Sequence, residues 1–257
     1  MRVAVSGTGR MGRESARAVL GAGDLELVGY LDALFSGSDL DGRPVFRSAD
    51  EGLEVLRPDV VIDFTNAAWT PTLAKAALER GTRLVVGTTG LDAAFLDWLR
   101  GECAARRLGA VVAPNFALGA VLMMHFARQA AKFFDAAEII ELHHDGKADA
   151  PSGTAKATAE AMVAARGRPF ARNVPERETL PGSRGAEYGG VSIHAVRLPG
   201  LVAHQEVIFG GTGQTLAIRH DSTGRDSFMP GVLLAVRRVM ELDRLVVGLE
   251  ELLGLEG

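Results

Sequence analysis

Val3-Ala4-Val5-Ser6-Gly7-Thr8-Gly9-Arg10-Met11-Gly12-Arg13-Glu14 stands at the head of the chain, and its reading decides the fold. A short apolar run beginning at residue 2 leads straight into G-x-G-x-x-G, and a helical pattern through Ala16, Val19 and Leu20 follows. In a dinucleotide-binding turn the first glycine permits the tight bend and the second lets backbone approach a pyrophosphate. The third lets helix and strand pack closely. An acidic residue about twenty positions on holds the adenosine ribose hydroxyls. Asp32 stands there, ending a second apolar run from Leu25 to Leu31. The glycine pattern alone also fits an unrelated Gly-rich turn; strand, helix and spaced carboxylate together favour the nucleotide reading.

Strand and helix patterns alternate onward from this turn. Val60 to Thr65 reads as a strand, followed by a helix near Trp69 to Arg80. Leu84-Val85-Val86 is another strand, and a helix from Asp92 to Arg107 leads to Ala110-Val111-Val112. Such alternation argues for right-handed βαβ units and a parallel sheet. Ligands on these sheets lie beyond the carboxyl ends of the strands. Asp63-Phe64-Thr65, Gly87-Thr88-Thr89-Gly90 and Ala113-Pro114-Asn115-Phe116 are all strand ends, so they are expected to line one crevice with Gly7 to Gly12. Each alone is an ordinary turn; convergence on one rim is what singles them out.

After residue 116 the pattern changes. A long helix reading from Leu118 to Phe134 precedes an apolar strand from Ala137 to Leu142. That strand runs into Glu141-Leu142-His143-His144-Asp145-Gly146-Lys147-Ala148-Asp149-Ala150-Pro151-Ser152-Gly153-Thr154-Ala155, which crowds two imidazoles and an ammonium before a helix start. A helix N-terminus offers unpaired N–H groups and partial positive charge, so it is a ready anion site. His144 and Lys147 add to that field, and a histidine such as His143 can carry a proton near neutral pH. For any one of these residues a solvated turn is the simpler reading; the cluster points to anion capture joined to proton donation.

A helix from Thr154 to Arg166 leads to Gly167–Gly190, a stretch rich in Arg, Pro and Gly that reads as a long loop, either linker or functional lid. Three alternating runs follow, Val191–Arg197, Leu201–Phe209 and Thr215–His220, separated by Pro199-Gly200 and Gly210-Gly211-Thr212-Gly213. They predict an antiparallel meander joined by hairpin turns. His194, His204 and His220 lie in these strands and read as structural or interface residues, with no spacing that suggests a metal. Both faces of the meander carry apolar side chains while helices can cover only one, which suggests subunit contact. The tail reads as a helix, Phe228 to Met240, and a short terminal element, Leu245 to Leu255.

Composition bounds the rest. With 257 residues and 47% hydrophobic content the chain can bury a large core in two domains. A net charge of −4 argues against nucleic acid or an anionic membrane as partner, so any anion is met by a local basic site. The single cysteine, Cys103, excludes an intramolecular disulfide and suits a reducing cytoplasm. Inside an amphipathic helix reading it is a packing residue sooner than a nucleophile. Residues 1–6 read as buried strand, not as a signal peptide, and no apolar run approaches the roughly 20 residues of a membrane span.

The motif His-His-x-x-Lys-x-Asp-Ala-Pro-Ser-Gly-Thr-Ala, from His143 to Ala155, resembles the signature of the dihydrodipicolinate reductase family. Gly9-Arg10-Met11-Gly12, Asp63-Phe64-Thr65, Gly87-Thr88-Thr89-Gly90 and Pro114-Asn115-Phe116 fall in that family's order, as do Ser183-Arg184-Gly185 and His220-x-Ser222-x-x-Arg225-x-x-Phe228. The resemblance covers essentially the whole chain. It implies a Rossmann-type domain with a parallel sheet, residues 1–115 and 223–257, and an α+β substrate and oligomerisation domain, residues 116–222, with a mixed, largely antiparallel sheet. It further implies an NAD(P)H-dependent reductase of the diaminopimelate route to lysine, acting on a cyclic dicarboxylate and assembled as a homotetramer through the substrate-domain sheet. The proton donor maps to His143 and the assisting lysine to Lys147. Substrate-carboxylate contacts map to His144, Lys147, Gly153 and Thr154, with Ser152 nearby. Cofactor contacts map to Gly7 through Gly12, Asp32, Phe64, Thr65, Gly87 through Thr89, and Ala113 through Phe116; no metal is implied.

Two departures from the family pattern matter. The glycine turn is one residue shorter than the commoner Gly-x-x-Gly-Arg-Met-Gly, although G-x-G-x-x-G still closes. Asp32 is followed by Ala33-Leu34, where many members place a basic residue for a 2′-phosphate. A carboxylate near that phosphate is unfavourable, so NADH preference or dual use is expected, with Arg10, Arg13 or Arg43 as phosphate partners in the second case. Two alternatives stand beside this reading: a reductase of a different cyclic imine or oxo-acid, and a nucleotide sensor without turnover.

Overall fold

The computed structural model describes residues 1–172 and 177–255. The chain forms two compact units, one of Met1–Leu118 joined by the segment from Arg225 onward, the other of Gly119–Gly224. In chain order the elements are β1 (Arg2–Ser6), α1 (Arg10–Gly21), β2 (Glu26–Leu31), β3 (Asp39–Leu40), β4 (Arg43–Phe46), α2 (Ala49–Leu56), β5 (Val60–Asp63), α3 (Thr70–Glu79), β6 (Arg83–Val86), α4 (Ala93–Arg106) and β7 (Ala110–Val112). Then come α5 (Leu118–Ala130), β8 (Ala136–His143), α6 (Gly153–Arg166), β9 (Ala186–Tyr188), β10 (Val191–Arg197), β11 (Ala203–Gly211) and β12 (Gln214–Ser222). The chain closes with α7 (Met229–Arg238) and β13 (Leu245–Val247).

The first unit is built on an eight-stranded sheet in the order β13-β7-β6-β5-β1-β2-β4-β3. Every neighbouring pair is parallel except β3 with β4. Strands covered on both faces must be apolar throughout, and Val3, Val5, Val61, Ile62, Val85 and Val111 are fully buried. The strand order reverses at β1, with β2 on one side and β5 on the other; that switch point is where doubly wound sheets take their ligands. Residues 33–57, which carry little pattern, contribute β3, β4 and α2, the last capped by Ser48 Oγ accepting from Glu51 N–H. The terminal element contains β13, a strand that extends the sheet beside β7.

The second unit carries a five-stranded sheet in the order β12-β11-β8-β10-β9. Its core packs Met123 and Ala127 of α5 and Ala159 and Met162 of α6 against Ile139, Val207 and Phe209. The antiparallel meander is corrected here. Of the three runs only β11 and β12 pair with each other as a hairpin, while β10 forms its hairpin with β9; β8 lies between β10 and β11, parallel to the first and antiparallel to the second. Pro199-Gly200 is therefore not a hairpin turn but part of a link that passes beyond the end of β8, with Leu198 N–H donating to His143 C=O at 3.1 Å. Alternation alone could not reveal this, because β8 comes fifty residues earlier and local pattern says nothing of a strand inserted from a distance. The 167–190 loop reading falls partly outside the described residues, at 173–176, and its described part carries structure of its own. Ala186–Tyr188 form the edge strand β9, and Phe170 N–H donates to Gly189 C=O at 2.8 Å, tying the two ends together. No helix among the described residues is long and apolar enough to cross a membrane.

Candidate functional site

The glycine turn follows β1 at the switch point. Gly7 has φ +98°, a conformation costly for a residue with a Cβ, and a Cβ on Gly12 would stand 1.8 Å from Gly7 C=O. Strand and helix meet that closely only because both residues are glycine. Gly9 caps α1 without any side-chain hydrogen bond, and a Cβ there would meet nothing within 4 Å. The three other helices with a side-chain cap use Ser48, Asp92 and Ser152. The start of α1 thus faces open space with its positive end, a fit for the pyrophosphate of a dinucleotide. Arg10 is exposed beside it, Met11 is half-buried, and Arg13 Nε donates to Thr8 C=O at 3.1 Å.

Asp32 follows β2 next to this turn. Its Oδ2 accepts from Thr8 N–H at 2.8 Å and Thr8 Oγ1 at 2.6 Å, and its Oδ1 accepts from Leu34 N–H at 3.0 Å. Burial pushes its carboxyl up, but the donors from Thr8, Leu34 and Phe35 outweigh it and hold the group below the usual carboxylate range. The carboxylate beside the glycine turn is therefore kept ionised and oriented.

The ends of β5, β6 and β7 lie in register, Asp63 beside Val86 and Val86 beside Val112. Asp63 is fully buried and gathers this rim. It accepts from Thr65 Oγ1 at 2.7 Å, Thr70 Oγ1 at 2.5 Å and Thr88 Oγ1 at 3.0 Å, while Thr65 N–H donates to Thr88 Oγ1 at 3.1 Å. The hydroxyls of Thr65 and Thr88 are thereby committed inside the protein. Phe64 packs edge-on against Phe116 at 5.6 Å, and a Cβ on Gly87 would lie 2.0 Å from the Phe64 ring. Ala113 and Phe116 are buried, Thr89 is exposed, and Asn115 Oδ1 accepts from Ala117 N–H at 2.9 Å.

In the second unit β8 delivers His143 and α6 delivers Gly153 and Thr154. The two meet through Glu141, whose side chain has 0% exposure. Glu141 takes His143 Nδ1 at 2.5 Å, Ser152 N–H at 3.0 Å and both terminal nitrogens of Arg197 at 2.8 and 2.9 Å. Ser152 Oγ caps α6 by accepting from Ala155 N–H at 3.2 Å, so this residue, 2% exposed, supports the helix start from beneath. A Cβ on Gly153 would meet nothing within 4 Å, which leaves that helix start open. Lys147 Nζ pairs with Asp149 at 2.7 Å, and His144 is exposed. Burial lowers the His143 pKa and the Glu141 carboxylate raises it; Lys147 and Arg197 oppose protonation, and the balance lies below the ordinary imidazole value. For Glu141 burial raises the pKa, and the bonds from Arg197, His143 and Ser152 bring it below the usual carboxylate range. An imidazole, an ammonium and an open helix start brought together in this way can bind a dicarboxylate and pass a proton to a bound molecule.

Sequence reasoning gave no role to Glu141 or Arg197, and it placed Asp63 on the rim without its three hydroxyl partners. Glu141 had a signal: it alternates with Ala137 and Ile139 on the inward face of β8, where a lone charge demands a partner. Arg197 had none, because its neighbour is set by the β8–β10 register. The remaining histidines lie apart from this cluster. His194 pairs with Glu138 at 2.9 Å and His204 with Asp221 at 2.6 Å, both within the sheet, and His220 packs against Gly119. Cys103 is buried in the core of the first unit, and burial pushes its thiol up to about 11, so it carries no nucleophile.

Two family models match: dihydrodipicolinate reductase, N-terminus, over residues 1–116, and dihydrodipicolinate reductase, C-terminus, over residues 119–253. The 4-hydroxy-tetrahydrodipicolinate reductase of Moorella thermoacetica is 52% identical over 98% of both chains. That of Listeria monocytogenes is 53% identical over 98% of this chain and 100% of its own. A dipicolinate-bound dihydrodipicolinate reductase from Paenisporosarcina sp. TG-14 superposes with a TM-score of 0.91 at 43% identity, covering 98% of each chain.

Proposed function

The chain belongs to the dihydrodipicolinate reductase family, and from that premise we propose that it reduces 4-hydroxy-tetrahydrodipicolinate to tetrahydrodipicolinate in the diaminopimelate route to lysine. The first unit is its nucleotide domain and the second its substrate domain. The observation that carries the reading is the cluster at the end of β8: His143 and the open start of α6 joined through one buried carboxylate, with the Lys147 charge acting on His143. A reduced nicotinamide supplies the hydride when bound. Gly7, Gly9 and Gly12 receive its pyrophosphate, Asp32 its ribose, and the rim from Phe64 and Thr65 through Gly87, Thr88 and Thr89 to Ala113 and Phe116 supports the rest. The Asp32 charge, with no cation in Ala33 or Leu34, favours NADH or dual use over strict NADPH dependence.

His144, Lys147 and the Gly153–Thr154 N–H groups take the two substrate carboxylates, and Ser152 keeps the helix start in place. His143 gives the proton, with Lys147 balancing the negative charge that develops. The open face of the β8–β12 sheet is the contact of a homotetramer, and a buried, neutral Cys103 suits a cytoplasmic setting. The test follows oxidation of NADH and NADPH with substrate made freshly from pyruvate and aspartate semialdehyde by the preceding synthase. His143→Ala and Lys147→Ala are each expected to lower kcat/KM about 10²-fold or more. Full turnover by either variant removes that residue from the mechanism; tight nucleotide binding without turnover in the parent protein makes it a sensor.

A further inference from the structure

Glu141 spends a full negative charge in a place without water. Its two oxygens take four protein donors: His143 Nδ1 at 2.5 Å and Arg197 Nη1 at 2.9 Å on Oε2, Arg197 Nη2 at 2.8 Å and Ser152 N–H at 3.0 Å on Oε1. An ionised carboxylate has about four lone-pair sites, so none is left for substrate or cofactor. Stability does not account for the arrangement, because a buried ion pair is often matched by apolar residues of the same volume. What an apolar pair cannot supply is an acceptor for imidazole. We propose that Glu141, kept ionised by Arg197, is the positioning residue of the proton donor: it holds His143 with a proton on Nδ1 and leaves Nε2 as the nitrogen that transfers one.

This inference rests on the reading of His143 as donor. A neutral ring with a bare Nδ1 would set a lone pair against the carboxylate, so the neutral form keeps Nδ1–H, and the second proton of the imidazolium sits on Nε2. In the transfer the Nε2–H bond breaks and its electron pair stays on nitrogen. The proton joins the substrate atom that received the electron pair displaced by hydride, and water recharges the neutral ring. Arg197, bidentate on Glu141, keeps the carboxylate from capturing the proton. The charged groups that face His143 are Glu141 on β8, Lys147 with its partner Asp149 in the loop before α6, and Arg197 on β10. Glu141, in direct contact with the ring, favours the protonated form of His143, while Lys147 and Arg197 oppose it.

The test is Glu141→Gln in the full-length protein, compared with His143→Ala. With Glu141→Gln, kcat is expected to fall about 10²-fold, the scale of a misplaced reacting group. The KM for substrate stays within about threefold, because Glu141 touches no substrate group. The descending limb of kcat/KM moves to lower pH, since the group that favoured the imidazolium has lost its charge. A folded Glu141→Gln enzyme with parental kcat and an unmoved limb overturns the proposal. If His143→Ala is inactive while Glu141→Gln is normal, the reaction reading survives and only this inference falls; if His143→Ala turns over normally, both fall. Should Glu141→Gln not fold, 15N imidazole spectra of the histidine-labelled parent protein decide. A neutral His143 protonated at Nδ1 supports the assignment, and one protonated at Nε2 overturns it.

Discussion

Asp32 shows how much a single residue decides and how much its neighbours must do. Its carboxylate is aimed by two bonds from Thr8, the residue between the first two glycines, so the glycine turn itself orients this charge. A fixed negative charge there repels a 2′-phosphate. Asp32→Ser is expected to shift the ratio of kcat/KM for NADPH over NADH about tenfold toward NADPH, equivalent to about 1.4 kcal/mol. Steady-state rates with each coenzyme check this, and an unchanged ratio would assign the preference to another group. The spacing that singles out Asp32 is visible in the chain; its hold by Thr8 is not, because a turn's side-chain bonds depend on how closely β1 and β2 approach.

At the scale of elements, the first unit depends on loops that must stay together after separate strands. Asp63 at the end of β5 accepts from hydroxyls at the start of α3 and after β6, so one carboxylate ties three segments. Asp63→Ala would leave buried hydroxyls without an acceptor. The loss of stability is expected to be about 3 kcal/mol, in the range for a broken buried network, with weaker nucleotide binding in consequence. Urea unfolding and nucleotide titration measure the two effects; a loss below about 1 kcal/mol would mean that the network does not hold the rim. The elements themselves were legible where period and punctuation agree, as at β1–α1 and at α6. They were not legible at β3 and β4, whose short pairing is decided by the edge they add to; β10 was legible as a strand over Val191–Arg197, but its place beside β8, far upstream in the chain, was not.

At the scale of the whole molecule, the second sheet has one face packed on α5 and α6 and one without helices. Ala137, Ile139, Val207 and Phe209 are buried on the inner face, while Ile140, Leu142, Val196 and Ile208 are half-buried on the other. Interleaved with them in the register are the pairs Glu138–His194, Glu206–Arg219 and His204–Asp221. A face that mixes half-buried apolar side chains with paired charges has the composition of a protein interface. Ile208→Glu is expected to split the proposed tetramer into smaller species while each chain stays folded, since the side chain lies outside the core. Sedimentation velocity reads this directly, and a variant with the parental mass would move the contact elsewhere.

The sequence by itself determined the local chemistry: the glycine turn and its carboxylate, the strand ends that form a rim, and the two imidazoles and the ammonium ahead of a helix start. These are short-range statements, carried by spacing, by helix and strand periods and by the few residues that tolerate a given turn. Only the tertiary structure decided which charges meet. Glu141 and Arg197 are 56 residues apart and become partners because β10 lies parallel beside β8 in one particular register. Burial then makes that pairing obligatory, since a carboxylate taken out of water must find donors wherever the fold has brought them.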